Sequence, residues 1–183
     1  MQIRPRHGTY LLFAALAWLA IAATPRPGVA RDGAAPSQPG AVVTVGGEVA
    51  HPLRLDQKAL AALPRHDVTA SVHGQAGTWS GVALSDILRA AGAPLGEKLR
   101  GKNMLLYVRI GAADGYHVVY ALAELDPGFR DDDVILDYLH VGKPLAAQEG
   151  PFRVIAPKEK RPARWIREVT RIDVLRAPQG ANP

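Results

Sequence analysis

The chain has no cysteine. No disulfide framework is open to it, so the fold must hold by packing alone, and no thiolate chemistry is available. A single long apolar run occurs, near the N-terminus, and nothing after Gly40 repeats it, which leaves no later segment able to hold the chain in a bilayer. No internal repeat is visible. Excess positive charge is also missing once the charges are placed. Lys and Arg number 22 and Asp and Glu 17, and three of the arginines, Arg4, Arg6 and Arg26, lie in the first thirty residues. The remainder is close to balanced, which excludes the dominant basic surface that nucleic-acid binding requires. His73, His117 and His140 show no i, i+4 spacing with a completing carboxylate, and no nucleophile–base pair appears. Asp131, Asp132 and Asp133 read as a solvated acidic loop or a weak calcium site.

What is present begins with an address. Arg4 and Arg6 form a positive n-region, and Leu11 to Ala23 is an uncharged apolar run too short to span a bilayer comfortably. Ala20-Ile21-Ala22 and Gly28-Val29-Ala30 both offer the small-x-small pattern of a cleavage site, so residues 1–30 read as a secretory signal, with an uncleaved N-terminal anchor as the alternative. Residues 31–41, rich in Gly, Ala, Pro and Ser, suit a flexible linker. The expected domain runs over 42–176, with 177–183 a disordered tail, a normal size for one core.

Within the domain, Val42–Val49 and Leu53–Leu55 predict an opening hairpin. Asp56 is placed as an N-cap for a short helix over Gln57–Leu63, which stops before Pro64. Asp67–His73 alternates as a strand, and Gly74–Gly77 reads as a turn. After Trp79-Ser80-Gly81, a second helix carries Leu84, Ile87, Leu88 and Ala91 on one face and ends at Gly92. Asn103–Ile110 and Tyr116–Tyr120 predict a hairpin turned by Asp114-Gly115. Ala121–Leu125 reads as a short helix or turn. Val134–Leu139, Phe152–Ala156 and Val169–Leu175 predict further strands, the last with Val169, Arg171 and Asp173 opposed to Thr170, Ile172 and Val174. The expected class is α+β, with more sheet than helix.

Three of these stretches resemble, in order and spacing, the oxidoreductase molybdopterin-binding domain of the sulfite oxidase family. They are Trp79-Ser80-Gly81-Val82-Ala83-Leu84, Ala113-Asp114-Gly115-Tyr116 and Gly150-Pro151-Phe152-Arg153-Val154-Ile155-Ala156-Pro157. The resemblance implies a mixed, barrel-like sheet fold with a few short helices. In the family's enzymes a cysteine on the segment corresponding roughly to Thr69–His73 ligates molybdenum beside the pterin, and this chain has none to offer. Lys158-Glu159-Lys160-Arg161-Pro162-Ala163-Arg164-Trp165 further resembles an element of small, cysteine-free periplasmic pterin-binding proteins. That resemblance implies a periplasmic, non-enzymatic protein that binds a pterin non-covalently without molybdenum. It also implies a partner, the periplasmic domain of a membrane-bound cyclic di-GMP signalling protein. A molybdopterin-dependent oxidoreductase or accessory subunit with atypical ligation is the alternative, and an assembly subunit with an empty pocket a third.

The ligand-binding candidates follow from both lines. Pro151–Arg176 holds eight basic residues against three acidic, so one end of the molecule is expected to be positive. Arg153, Lys160, Arg161 and Arg164 there suit a phosphate or a pterin edge, or else simply face water. Trp165 beside Arg164 offers a flat stacking surface, or else a core residue. Trp79 has the same two readings. Asp114 pairs with a pterin's amino and N3 donors or merely forms a tight turn, and Tyr116 stacks or is half-buried. His73 falls near the position of the family's molybdenum ligand and is the remaining candidate donor.

Overall fold

A computed structural model describes residues 41–72, 75–140 and 143–179. Among them no helix is long and apolar enough to cross a membrane. Strand β1 (Val43–Gly47) turns into β2 (Leu53–Leu55), with Val43 opposite Leu55 and Val45 opposite Leu53. This is the expected hairpin. Helix α1 (Gln57–Ala61) starts where the Asp56 carboxylate accepts the amide of Ala59 at 2.7 Å, the N-cap read from the sequence. The long hairpin of β3 (Arg65–Val72) and β4 (Gln75–Ala83) follows, then α2 (Leu84–Ala90), whose Leu84, Ile87 and Leu88 are fully buried.

Two 3-10 turns over Gly96–Lys98 and Gly101–Leu105 lead to β5 (Leu106–Ala112) and β6 (His117–Ala121). Their connection needs a left-handed residue, supplied by Gly115 at φ 86°, while Asp114 accepts the amide of Tyr116 at 2.8 Å. A 3-10 turn over Leu122–Leu125 precedes β7 (Ile135–His140), β8 (Lys143–Pro144) and β9 (Arg153–Ile155). Another over Pro162–Arg164 leads to the last strand, β10 (Val169–Arg176).

The strands form two sheets, in the orders β2-β1-β10-β5-β6 and β3-β4-β7-β8, with β9 also on β7. β1 and β10 pair in parallel, so the two ends of the domain lie side by side at the centre of the first sheet. In the second sheet β9 pairs with Ile135–Asp137 and β8 with Leu139–His140, sharing one edge of β7. The segment between β9 and β10 stitches the sheets together. Ile166 accepts the amide of Val154 at 2.8 Å, and Phe152 accepts the amide of Val169 at 3.0 Å. One core fills the space between, and burial of each Leu, Ile or Val in it stabilises by about 1.5–3 kcal/mol.

The differences from the sequence expectations have physical causes. Gln75–Ala83 is one continuous strand, not a turn and a helix approach. Its glycines hide the alternation, yet β3 and β7 pair on either side of it. At Gly81 a Cβ would stand 2.2 Å from the Leu136 carbonyl oxygen, so the β4–β7 approach requires glycine there. Asn103–Leu105 belongs to a 3-10 turn rather than to β5, and β8 carried no recognisable pattern. In β10 a bulge at Thr170 breaks the expected alternation and places Val169 with Ile172 and Val174 in the core. At the two ends, Ala41 packs on the core and Ala177 donates its amide to Leu105 at 2.9 Å.

Candidate functional site

The seam between the second sheet and the β9–β10 segment gathers the aromatic residues. Trp79 on β4 stands opposite His140 on β7, and their rings stack at 4.9 Å and 6°. Gly77, two residues back on the same face, makes room for this. A Cβ there would come within 2.8 Å of the Trp79 ring and 3.2 Å of His140 Nε2. Trp165, just beyond the Pro162–Arg164 turn, meets Trp79 edge-on at 5.8 Å and 78°. Its indole nitrogen donates to the Ala156 carbonyl at 3.0 Å.

Polar groups enter the same seam from β7 and β9. Asp137 and Arg153 are partners across the β7–β9 ladder. The Arg153 guanidinium lies 5.8 Å from the Trp165 ring centroid and donates to Glu149 at 2.6 Å. Asp137 is completely buried, and one carboxylate oxygen accepts the amide of Leu139 at 3.1 Å. Burial pushes its carboxyl up to about 7, against the opposing pull of the Leu139 amide and the Arg153 charge. Three buried polar atoms here have no partner among the described residues: Trp79 Nε1, the second Asp137 oxygen and Arg153 Nε. Each unmet group of this kind costs about 1–3 kcal/mol, which marks the seam as the polar soft spot of the core.

On its other side Trp165 borders a cavity of about 250 Å³ lined also by Asp114, Tyr116, Pro162, Ala163, Ile166 and Arg167. The Tyr116 hydroxyl donates to the Ala163 carbonyl at 2.9 Å and ties the β5–β6 hairpin to the cavity wall. Of the residues chosen from sequence, Trp79, Arg153 and Trp165 are thus brought together in the seam, and Asp114, Tyr116 and Trp165 around the cavity. Trp165 is common to both. Lys160 and Arg161 are exposed and belong to neither. His73 lies outside the described residues.

Two of the candidates are held within the protein. Trp165 is only 4% exposed and packs in the core, the second of the two readings given for it, while one edge borders the cavity. The Arg164 guanidinium is taken up by protein groups. It donates to both oxygens of Glu124 at 3.2 and 3.3 Å and to the Val119 carbonyl at 3.0 Å. It also pairs with Glu159 at 2.5 Å and lies 4.1 Å from the centre of the Tyr120 ring. This side chain clamps the Pro162–Arg164 turn onto β6.

The expected positive end is partly neutralised by carboxylates from outside it as well: Lys158 meets Asp132, and Arg176 meets Glu48. The acidic loop is likewise dispersed, with Asp132 forked by Arg130 and Asp133 bound to His66. Among the described residues no three His, Asp or Glu side chains are placed to hold a metal. Sequence reasoning missed Asp137 and Glu149, and weighed His140 only as a metal ligand. The available signal was Asp137 itself, a carboxylate set inside the apolar strand run Val134–Leu139.

Residues 39–182 match the family described as the oxidoreductase molybdopterin binding domain. Among solved structures, the sulfane dehydrogenase SoxCD from Paracoccus pantotrophus has the same fold, with a TM-score of 0.58 and 19% identity. The likeness covers 73% of this chain and 38% of that one, and at this identity it is one of fold. No curated protein sequence matches the chain.

Proposed function

The chain belongs to the oxidoreductase molybdopterin-binding family, and from that premise we propose that it is a binding member, one that takes up a pterin without a molybdenum–thiolate centre. The observation that carries this reading is the donor set. The chain has no cysteine, and the segment resembling the family's metal-bearing one, Thr69–His73, supplies only hydroxyl and imidazole donors. The thiolate that holds molybdenum in the family's enzymes therefore has no counterpart in this segment, and an oxygen or nitrogen donor in its place would give the metal a different electronic character.

A pterin is a flat heteroaromatic ring with donors and acceptors on its edge, and the chemistry of the seam is of a kind that could meet it if the buried cluster opened. The seam offers an aromatic cluster together with an unpartnered acceptor on Asp137 and unpartnered donors on Trp79 and Arg153. His73, the residue after Val72 in the sequence, is the further donor this reading assigns to the ring. With the N-terminal signal removed, the protein acts in the periplasm, where ligand occupancy is presented to the periplasmic domain of a membrane-bound cyclic di-GMP signalling protein.

The deciding experiment denatures the protein as isolated and analyses what is released, by pterin fluorescence and by metal analysis on one sample. A stoichiometric pterin without molybdenum is the expected result. About one molybdenum per chain, with a reducible visible spectrum, overturns it in favour of an oxidoreductase with atypical ligation.

A further inference from the structure

The outward face of the first sheet carries a second constellation. In register, Thr44 on β1 stands between Arg54 on β2 and Arg171 on β10, so the three form one row across three strands. One step along, Gly46 stands opposite Asp173, and Asp173 opposite Arg109 on β5. The strand pattern fixes which side this is. Val43 and Val45 point into the core, so Thr44, Gly46 and their partners point away from it.

Asp173 is nevertheless 3% exposed, because guanidiniums cover it. Arg171 donates through Nε at 2.7 Å, and Arg109 through Nη2 at 3.1 Å. Burial opposes ionisation of Asp173, but these hydrogen bonds and charges hold its carboxyl below the usual carboxylate range. The anchor leaves both terminal nitrogens of Arg171 uncommitted to it. Beside them opens a cavity of about 370 Å³ lined by Thr44, Gly46, Pro52, Leu53, Arg54 and Arg171. Arg54 projects from β2 on the far side of Thr44, whose hydroxyl donates to the Thr170 carbonyl at 3.3 Å and keeps lone pairs free. The missing side chain of Gly46 helps keep the floor open.

We propose that this face is a binding site for a phosphate dianion, separate from the pterin seam. Charge decides the class of ligand. Arg54 and Arg171 line the cavity, while Arg109, outside it, offsets the charge of Asp173, so two positive charges face the ligand, which a phosphate near pH 7 balances and a single carboxylate does not. Guanidinium forks also match phosphate oxygens bidentately. The same chemistry is offered by free phosphate and by an anionic phospholipid headgroup. The site shares no residue with Trp79, Asp137 or Arg153, so its test is independent of the pterin reading.

That test titrates inorganic phosphate into the protein as isolated, with chloride at equal ionic strength as control, and follows backbone amide resonances. A parallel arm measures sedimentation with phosphatidic acid vesicles against neutral vesicles. Phosphate should shift the amides of Thr44–Gly46, Arg54 and Arg171 saturably where chloride does not. Arg54→Gln, which removes a guanidinium that leaves the Asp173 anchor intact, should weaken binding about tenfold or more at an unchanged Tm.

Gly46→Ala is the second variant. Its Cβ would sit 3.6 Å from the Asp173 carboxylate, an ordinary contact, so the fold is kept while the floor is filled and affinity drops. Binding to vesicles alone assigns the site to a lipid headgroup, and binding to inorganic phosphate assigns it to the free anion. Equal responses to phosphate and chloride, no response in either arm, or wild-type affinity in Arg54→Gln overturns the proposal.

Discussion

Replacing Trp165 by alanine separates a core indole from a ligand-stacking one. The structure places the ring in the core, 4% exposed, edge-on to Trp79 and hydrogen-bonded to Ala156. Truncating a buried tryptophan costs about 3–5 kcal/mol. The lost indole hydrogen bond and edge contact with Trp79 place this case at the upper end, about 4–5 kcal/mol. For a domain of this size each kcal/mol lowers Tm by roughly 3–5 °C, so Trp165→Ala should lower it by roughly 12–25 °C. Trp165→Phe keeps most of the ring and loses only the donor and some volume, so a cost of about 1–2 kcal/mol is expected. Scanning calorimetry on both variants, with pterin titration well below their melting points, is the assay. A loss of less than about 3 °C in Trp165→Ala, coupled to a ten- to hundred-fold loss of pterin affinity, would refute the core assignment and restore a stacking role.

Arg164→Ala should destabilise by about 1–2 kcal/mol, because the partly exposed guanidinium joins Glu124, Glu159 and Val119, and Arg164→Lys should not rescue it, lacking the fork; urea midpoints at constant m value report this. His66 holds Asp133 with Nδ1 at 2.8 Å and Asp86 with Nε2 at 2.9 Å, and although burial opposes its charge, these carboxylates raise its pKa above the ordinary value. The stability it adds is therefore complete below about pH 6.5 and lost as pH rises through the folded-state value, and His66→Gln should flatten that part of a stability–pH curve. Asp137 behaves differently: its pKa, pushed up by burial to about 7, imposes no penalty below about pH 4 and a growing one from there to about 7. Urea titrations of Asp137→Asn should lose that lower-pH slope while keeping the one due to His66.

How much of this was legible depended on whether the determining contacts were local. The cap at Asp56, the apolar stripe of α2 and the Asp114-Gly115 turn are each set by neighbours a few residues apart, and the structure has them where the pattern put them. β4 was not legible. Gly77 and Gly81 weaken its alternation, and what makes it a strand is pairing with β3 and β7. The same holds at the site. The sequence flagged Trp79, Arg153 and Trp165, but their meeting with Asp137 and His140 depends on the β4–β7 and β7–β9 registers.

Charge gives the sharpest case. Counted along the chain, Pro151–Arg176 is strongly positive, yet Arg164 is neutralised from Glu124 and Arg176 from Glu48, both remote in sequence. Conversely, Arg54 and Arg171 belong to no common run of basic residues. They meet only because β1 pairs in parallel with β10 and antiparallel with β2, with Thr44 between them. A count of charge along a segment therefore overstates the field where carboxylates from other strands fold onto it, and misses the field where arginines from distant strands share one face. The sheet register, not the local composition, decides where an anion is held.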